Sequence, residues 1–209
     1  MLHKLQRGLE TLYRIETDTC VSDFLIDAET RERLGVVRSP REQLLVTEDA
    51  EGLSVGLFVD DAALSNLERH DPGRHLDDRN LGDFLLAVEG VSHFVYVCWR
   101  ATHDTRVSAL ELELQAEVDK YVTCLLCGEG GARRSAELRR RLFDDVSFED
   151  DLDDDERRRY QVANANALRY SASLERRFVR TARIAAMLDE LRRFYRLPLD
   201  GKLEHCRAA

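Results

Sequence analysis

The sequence predicts an α+β fold that is mostly α: a compact helical bundle around a central antiparallel helix hairpin, with a small N-terminal antiparallel β-hairpin. The chain has only 3 Pro and 11 Gly among 209 residues, which favours long helices and few loops. Apolar residues recur at helical spacing along most of the chain, and two apolar runs around a Gly-containing turn interrupt this pattern near the N-terminus. We therefore expect a single domain, residues 1–209, in which 1–77 form an N-terminal helix plus β-hairpin subregion and 78–209 form a helical core.

The first segment predicts an amphipathic helix of roughly four turns that packs on the core. Its apolar face is a set of leucines at heptad spacing: Leu2, Leu5, Leu9 and Leu12. The next segment, 17–32, is ambiguous, because Val21 to Ile26 fits either a strand or part of a second helix that runs on to Arg33. Gly35 ends either version.

A β-hairpin is predicted next. The apolar runs 41–48 and 53–59 flank the four-residue segment 49–52, which contains a Gly, and this spacing is typical of two antiparallel strands and their turn. The acidic pair Asp60-Asp61 then predicts the start of a short helix that runs to about Arg69, since acidic side chains stabilise a helix N-terminus.

The central hairpin begins with a predicted helix from Leu81 to Ala101, whose apolar residues cover most of its circumference and so predict burial. The segment Val91 to Trp99 is rich in β-branched and aromatic residues, so a strand after Gly90 is the alternative. The helix is favoured because one polar strip keeps its spacing of i, i+4, i+7 and i+11 across that glycine. The strip consists of Glu89, His93, Tyr96 and Arg100.

The second central helix is predicted from about Ser108 to Cys127, with Ser108 and Glu111 spaced as a capping box. Its polar strip consists of Glu113, Glu117 and Lys120. The link between the two helices is short, which predicts antiparallel neighbours whose strips meet. In that arrangement Glu89 pairs with Lys120, His93 pairs with Glu117, and Arg100 comes near Glu111 or Glu113.

Two interpretations of these strips follow. The favoured one is a structural ion-pair network inside a helical core, since buried charges need partners. The other is a metal or acid–base site at Glu89, His93 and Glu117, with Glu113 as a further candidate ligand. A His with carboxylates suits zinc, iron or manganese. The spacing here is Glu-x-x-x-His rather than the Glu-x-x-His of di-metal bundles, so the match to that motif is poor.

The C-terminal part is strongly basic. Residues 157–209 carry 13 basic and 5 acidic residues, a net charge of +8, whereas residues 1–156 carry −17. Two helices are predicted here, Arg157 to Phe178 and Thr181 to Tyr195. Their basic surface would dock on the acidic remainder or face an acidic partner. It is formed by Arg176, Arg177, Arg180, Arg183, Arg192, Arg193 and Arg196.

Composition also bears on location. The five cysteines have no disulfide-framework spacing, and Cys124 and Cys127 are interpreted as two small core residues. The sequence has neither a run of 18 uncharged apolar residues nor the apolar region of a signal peptide at its start. These features predict a cytoplasmic protein that does not contact the membrane.

The sequence has no nucleophile elbow, no His-Glu-x-x-His, no dinucleotide fingerprint and no kinase motif set. The favoured hypothesis is a non-catalytic interaction or regulatory protein that binds a protein partner. Nucleic acid is a less favoured partner, because the rest of the chain is acidic and the arginines are not interleaved with aromatics. The alternative is a metal-dependent or acid–base, hydrolase-like enzyme with Glu89, His93 and Glu117 between the two central helices.

Overall fold

The computed structural model describes residues 1–35, 40–49, 52–128, 131–144 and 152–208. Its described residues form mainly α-helices together with a two-stranded antiparallel sheet, which confirms the predicted α+β, mostly α class. The chain divides into two compact units: 1–11 with 15–106, and 12–14 with 107–209. The single-domain organisation stays a prediction.

The first unit begins with α1 (Leu2–Tyr13), whose last residues belong to the second unit. The ambiguous segment after it is neither a strand nor a long helix: Val21–Phe24 form a 3-10 turn, and the short α2 (Ala28–Arg33) follows. Leu25 makes only an isolated parallel bridge to Leu57. The segment is divided because Asp27 caps α2, its side chain accepting a hydrogen bond from the backbone N–H of Thr30.

The β-hairpin is confirmed by β1 (Glu42–Asp49) and β2 (Gly52–Val59), which pair in antiparallel register with Leu44 opposite Leu57. The central turn residues, 50 and 51, lie outside the described residues. Leu57 is fully buried, while Val46 and Leu53 near the tip are exposed. The base of the hairpin therefore contributes to the core, where it packs against the long helix α4.

Asp60 caps α3 (Asp61–Arg69), its carboxylate accepting the backbone N–H of Ala62, and α3 packs on α4 (Leu81–Ala101). Helix α4 continues through Gly90 without a break, which confirms the helical interpretation of its second half. By length and composition α4 could cross a membrane. However, 72% of its most apolar window is buried inside the protein, as in the core helix of a water-soluble protein.

The second unit is helical. Helix α7 packs against α5 and α9, and the Asp153–Glu156 capping box starts α7 three residues earlier than predicted. Helix α8 starts later than predicted. Ala182 has a positive φ of 53°, which is incompatible with a right-handed helix, so α8 begins only after this residue. Helix α9, after Pro198, was not predicted. The elements are α5 (Ala109–Leu126), α6 (Ala132–Arg139), a π-helical turn (Arg140–Asp144), α7 (Asp154–Leu174), a second π-helical turn (Glu175–Val179), α8 (Ile184–Arg196) and α9 (Leu199–Ala208).

Candidate functional sites

The predicted polar strip of α4 lies in the first unit and is largely buried. His93, Tyr96 and Arg100 are buried and Glu89 is half-buried. A carboxylate oxygen of Glu89 and a ring nitrogen of His93 lie within 4.8 Å of each other. Residues four apart on a helix share one face, so α4 presents this carboxylate and this imidazole side by side.

The hairpin adds a third group to this pair. The imidazole Nδ1 of His93 lies 3.7 Å from Oε1 of Glu42 at the start of β1, and both side chains are only 9% exposed. Gly90 makes this approach possible, since a Cβ there would lie 2.9 Å from Cγ of Glu42 and 3.0 Å from Cδ1 of Leu57. Sequence reasoning missed Glu42. The signal available was Gly90, because an isolated glycine inside a helix often marks a close approach of another segment.

Arg100, at the other end of the strip, lies near aromatic rings. Its guanidinium carbon is 5.7 Å from the ring centre of Tyr96 and 5.9 Å from that of Trp99. Such contacts stabilise a partly desolvated cation. In the first unit, Tyr96 and Arg100 therefore have a packing role at the end of α4.

The strip of α5 lies in the second unit. Glu113 is buried, and Glu117 accepts a hydrogen bond of 2.9 Å from the Lys120 ammonium one turn later. Because α4 and α5 belong to different units, the antiparallel helix hairpin and the predicted pairings between its two strips stay predictions. So does the metal site that combines Glu89 and His93 with Glu117.

A network that the sequence did not reveal lies inside the second unit. Tyr13, Gln115, Asp119 and Lys202, called here the buried network, are each at most 1% exposed. The Tyr13 hydroxyl donates to Oδ1 of Asp119, and Nε2 of Gln115 donates to the same oxygen at 2.9 Å. The Lys202 ammonium donates to Oε1 of Gln115. Burial, followed by the charge of Asp119, raises the pKa of Tyr13 well above its usual value, so the phenol stays protonated.

Aromatic rings surround the ammonium of this network. Nζ of Lys202 lies 5.0 Å from the ring centre of Phe194 and 5.6 Å from that of Tyr195, and Tyr195 stacks on Tyr13 with 3.9 Å between centroids. A cation enclosed in this way is stabilised by hydrogen bonding and by the ring faces. We interpret the network as structural because its members are sealed from solvent.

A second cluster of the same unit reaches the surface. Glu190 is only 1% exposed, and its carboxylate accepts hydrogen bonds from Nε2 of His205 at 2.6 Å, from Arg193, and from Nη1 of Arg177 at 3.5 Å. The three donor side chains are 29%, 72% and 44% exposed, respectively. Burial alone would raise the pKa of Glu190, but the hydrogen bonds from His205 and Arg193 outweigh it and lower the pKa below its usual value. Glu190 together with Arg177, Arg193 and His205, which bind its carboxylate, is called here the cationic cluster.

The predicted basic surface thus divides into two groups. Arg192 and Arg196 point to the backbone: Nε of Arg192 donates to the carbonyl of Leu12 at 2.9 Å, and Nη2 of Arg196 donates to that of Tyr13 at 3.0 Å. These two arginines hold the chain segment that carries the Tyr13 side chain. Arg196 is nevertheless exposed, whereas Arg192 is half-buried. The remaining arginines of this surface are also exposed: Arg176, Arg177, Arg180, Arg183 and Arg193.

The cysteine pair at the end of α5 is not a reactive dithiol. Cys124 is buried, and burial raises its pKa to about 12. Cys127 is exposed, so the interpretation of both residues as core is correct for Cys124 and wrong for Cys127. Its pKa is also raised by partial burial, which keeps the thiol protonated at neutral pH.

Comparisons with known protein families, with curated proteins and with solved structures find no match to this chain. The chemistry of the clusters themselves is therefore the basis for a functional proposal.

Proposed function

We propose that this protein is a non-catalytic interaction protein of the cytoplasm that binds an acidic segment of a partner protein through the cationic cluster. One observation carries the proposal: a buried carboxylate, Glu190, holds Arg177, Arg193 and His205 together while leaving each of them partly exposed. The partner segment would place its carboxylates against the exposed guanidinium groups.

Glu190 makes the cluster suited to binding anions. Its single negative charge is shared by two guanidinium groups, so the cluster keeps a net positive charge even with His205 neutral. A guanidinium group has five N–H donors, and bonds to one carboxylate leave others for a second anion. Arginines already fixed on Glu190 also lose less side-chain entropy when a partner binds.

The His205 ring is also held in place, by two aromatic rings. It lies edge-on to Tyr170, with 5.6 Å between ring centroids, and at 5.8 Å from Phe194. Those two rings stack on each other at 4.1 Å. The cluster is therefore rigid on its buried side, and only its outer N–H groups face solvent.

Further cations extend the surface. Arg176 precedes Arg177 in the chain, Arg180 follows one turn later, and both are exposed. A surface with several arginines attracts an acidic partner over a distance and raises the association rate, an effect that salt weakens.

A protein partner is favoured over nucleic acid. The aromatic side chains of α7, α8 and α9 are buried or half-buried and so are not available for stacking on unpaired bases.

The test is the binding of a fluorescently labelled glutamate-rich peptide, followed by anisotropy at two salt concentrations, with labelled duplex DNA as the competing probe. The variant Arg177→Gln/Arg193→Gln should bind the peptide about tenfold more weakly, corresponding to roughly 1.4 kcal/mol for two partly exposed contacts. The matched control, Arg133→Gln/Arg158→Gln, removes the same charge from two exposed arginines outside the cluster and should bind like the wild type.

Equal losses in the two variants would show that only the overall charge matters and would refute a defined cluster. Tighter binding of the duplex than of the peptide would refute the protein partner. Removal of two cationic partners from the buried Glu190 carboxylate could destabilise the second unit. Far-UV circular dichroism on every variant therefore verifies that the helices are still folded.

A further inference from the structure

We infer that the second unit also holds a binding pocket for one bulky apolar side chain of the acidic partner segment. The pocket lies between the end of α5 and the start of α8 and is called here the apolar cavity. This inference rests on the proposed function, because it adds an apolar anchor to the segment that the cationic cluster binds. The cavity is lined by residues outside that cluster, so the two can be tested separately.

The apolar cavity has a volume of about 290 Å³. Pockets for drug-sized molecules have volumes of about 300–1,000 Å³, so this one fits a side chain better than a cofactor. Its walls are formed by the end of α5, by the link from α5 to α6, and by the link from the second π-helical turn to α8. Each described lining residue is apolar or a glycine: Leu125, Leu126, Gly128, Gly131, Val179, Ala182 and Ile184.

Two large apolar side chains of the cavity are exposed to solvent. Leu126 is 44% exposed and Ile184 is 39% exposed, whereas the neighbouring Leu125 and Val179 are buried. In the described part of the second unit, the exposed large apolar side chains are these two, and both line the same cavity. Single apolar side chains scattered over a surface are normal, but apolar side chains gathered in a concave site are typical of binding.

Hydrogen bonds fix the wall that leads into α8. Ala182, with its positive φ, turns the chain, and its N–H donates to the carbonyl of Val179 at 3.1 Å. The N–H of Arg183 donates to the carbonyl of Phe178 at 2.8 Å, and the Thr181 hydroxyl donates to the same carbonyl at 3.2 Å. This wall is therefore formed before a partner binds, and little conformational entropy is lost on binding.

An arginine fixes the opposite wall. The Arg134 guanidinium donates to the carbonyl of Cys124 in the last turn of α5, from Nη2 at 3.0 Å and from Nε at 3.3 Å. A cation at this place is favourable, because carbonyl groups without a helical partner give a helix C-terminus a partial negative charge. The guanidinium lies against Gly128, where an added Cβ would collide with it. The glycine thus allows Arg134 to support the cavity wall.

Positive charge next to the cavity indicates the kind of partner. Arg180 and Arg183 are exposed and alternate along the chain with the lining residues of the α8 wall. Arg177 of the cationic cluster and Val179 of the cavity belong to the same π-helical turn. The stretch 176–188 contains four arginines and no acidic residue. A segment that carries carboxylates on either side of one bulky apolar side chain is complementary to this surface.

The test compares two fluorescently labelled, glutamate-rich peptides by anisotropy on the full chain. The first peptide has leucine at every fourth position, and the second has glutamine in place of each leucine, so the two carry the same charge. The wild type should bind the leucine peptide roughly 10–100-fold more tightly than the glutamine peptide, as expected for burial of one leucine side chain.

The variant Leu126→Gln/Ile184→Gln makes the cavity polar without a change of charge. Both residues are partly exposed and lie at helix ends, so the fold should tolerate the change. The variant should bind the two peptides with similar affinity and bind the glutamine peptide like the wild type, which also verifies that the second unit is folded. Each single variant should reduce the preference for leucine in part. The matched control, Leu53→Gln, replaces a leucine that is 41% exposed in the first unit and should bind both peptides like the wild type.

The outcomes distinguish the cavity from the cationic cluster. Equal binding of the two peptides by the wild type, or a preference for leucine that persists in Leu126→Gln/Ile184→Gln, would overturn the cavity and leave the cluster in place. If this variant loses the preference while Arg177→Gln/Arg193→Gln binds like the wild type, the cavity is supported and the cluster is refuted. A wild-type dimer in sedimentation that dissociates in the cavity variant would assign the cavity to a second copy of the chain and overturn the partner segment.

Discussion

Replacement of Gly90 by alanine tests the contact between the hairpin and α4 directly. The added Cβ would lie 2.9 Å from Cγ of Glu42, 3.0 Å from its Oε1 and 3.0 Å from Cδ1 of Leu57. Ordinary contacts between carbon atoms are about 3.5–4.0 Å, so these neighbours must retreat by roughly 0.5–1 Å. Leu57 is fully buried and cannot move into solvent.

Two opposing effects determine the size of the change. Overpacking of this kind costs about 1–3 kcal/mol. Alanine in place of glycine in a helix interior increases the stability of the folded state by about 1 kcal/mol. We therefore expect Gly90→Ala to reduce the free energy of unfolding by about 1 kcal/mol, which corresponds to a melting temperature roughly 2–4 °C lower for a chain of this size.

The same helix contains the matched control. Gly82 is exposed in the first turn of α4, and a Cβ there would meet no atom within 4 Å. Gly82→Ala should therefore stabilise the protein, by about 0.4–1 kcal/mol. Urea unfolding followed by far-UV circular dichroism compares the two variants. Equal stabilisation by both would refute the close approach of Glu42 and Leu57 to Gly90.

Two further predictions concern the second unit. Lys202→Met should reduce the free energy of unfolding by at least about 1–3 kcal/mol in urea titrations, because the buried Gln115 carbonyl loses its donor; an unchanged midpoint would contradict the buried network. Because the pKa of Glu190 is lowered in the folded protein, its carboxylate stabilises the fold above the ordinary value of 4.5, and this stabilisation is lost as the pH falls through the lowered pKa. Between about pH 7 and pH 3 the melting temperature of the wild type should thus fall more steeply than that of Glu190→Gln. If the melting temperatures of the two proteins fall in parallel, the stabilising role of the Glu190 carboxylate is refuted.

The elements that the sequence predicted well are those determined by local pattern. Helix α4 follows from apolar residues around most of its circumference, and the hairpin follows from two apolar runs about a glycine-containing turn. The start of α5 follows from Ser108, whose side chain accepts the backbone N–H of Glu111 as the capping box requires. In each case the decisive residues are close together in the chain.

The elements that were missed depend on the backbone or on tertiary packing. The start of α8 depends on the left-handed conformation of Ala182, which no residue-type preference indicates, because such a φ is unusual for a residue with a side chain. Helix α9 is short and only weakly amphipathic, so its apolar spacing gives little signal, and it is stabilised by packing on α7.

The buried network was missed for a related reason. Gln115 and Asp119 lie next to the apolar residues Leu114, Ala116 and Val118, so periodicity treats them as breaks in an apolar surface of α5. Their burial is explained only by partners far away in the chain: Tyr13 is 102 residues from Gln115, and Lys202 is 87 residues from it. Separations of this size leave no local signature, and only the fold brings the donors to the acceptors.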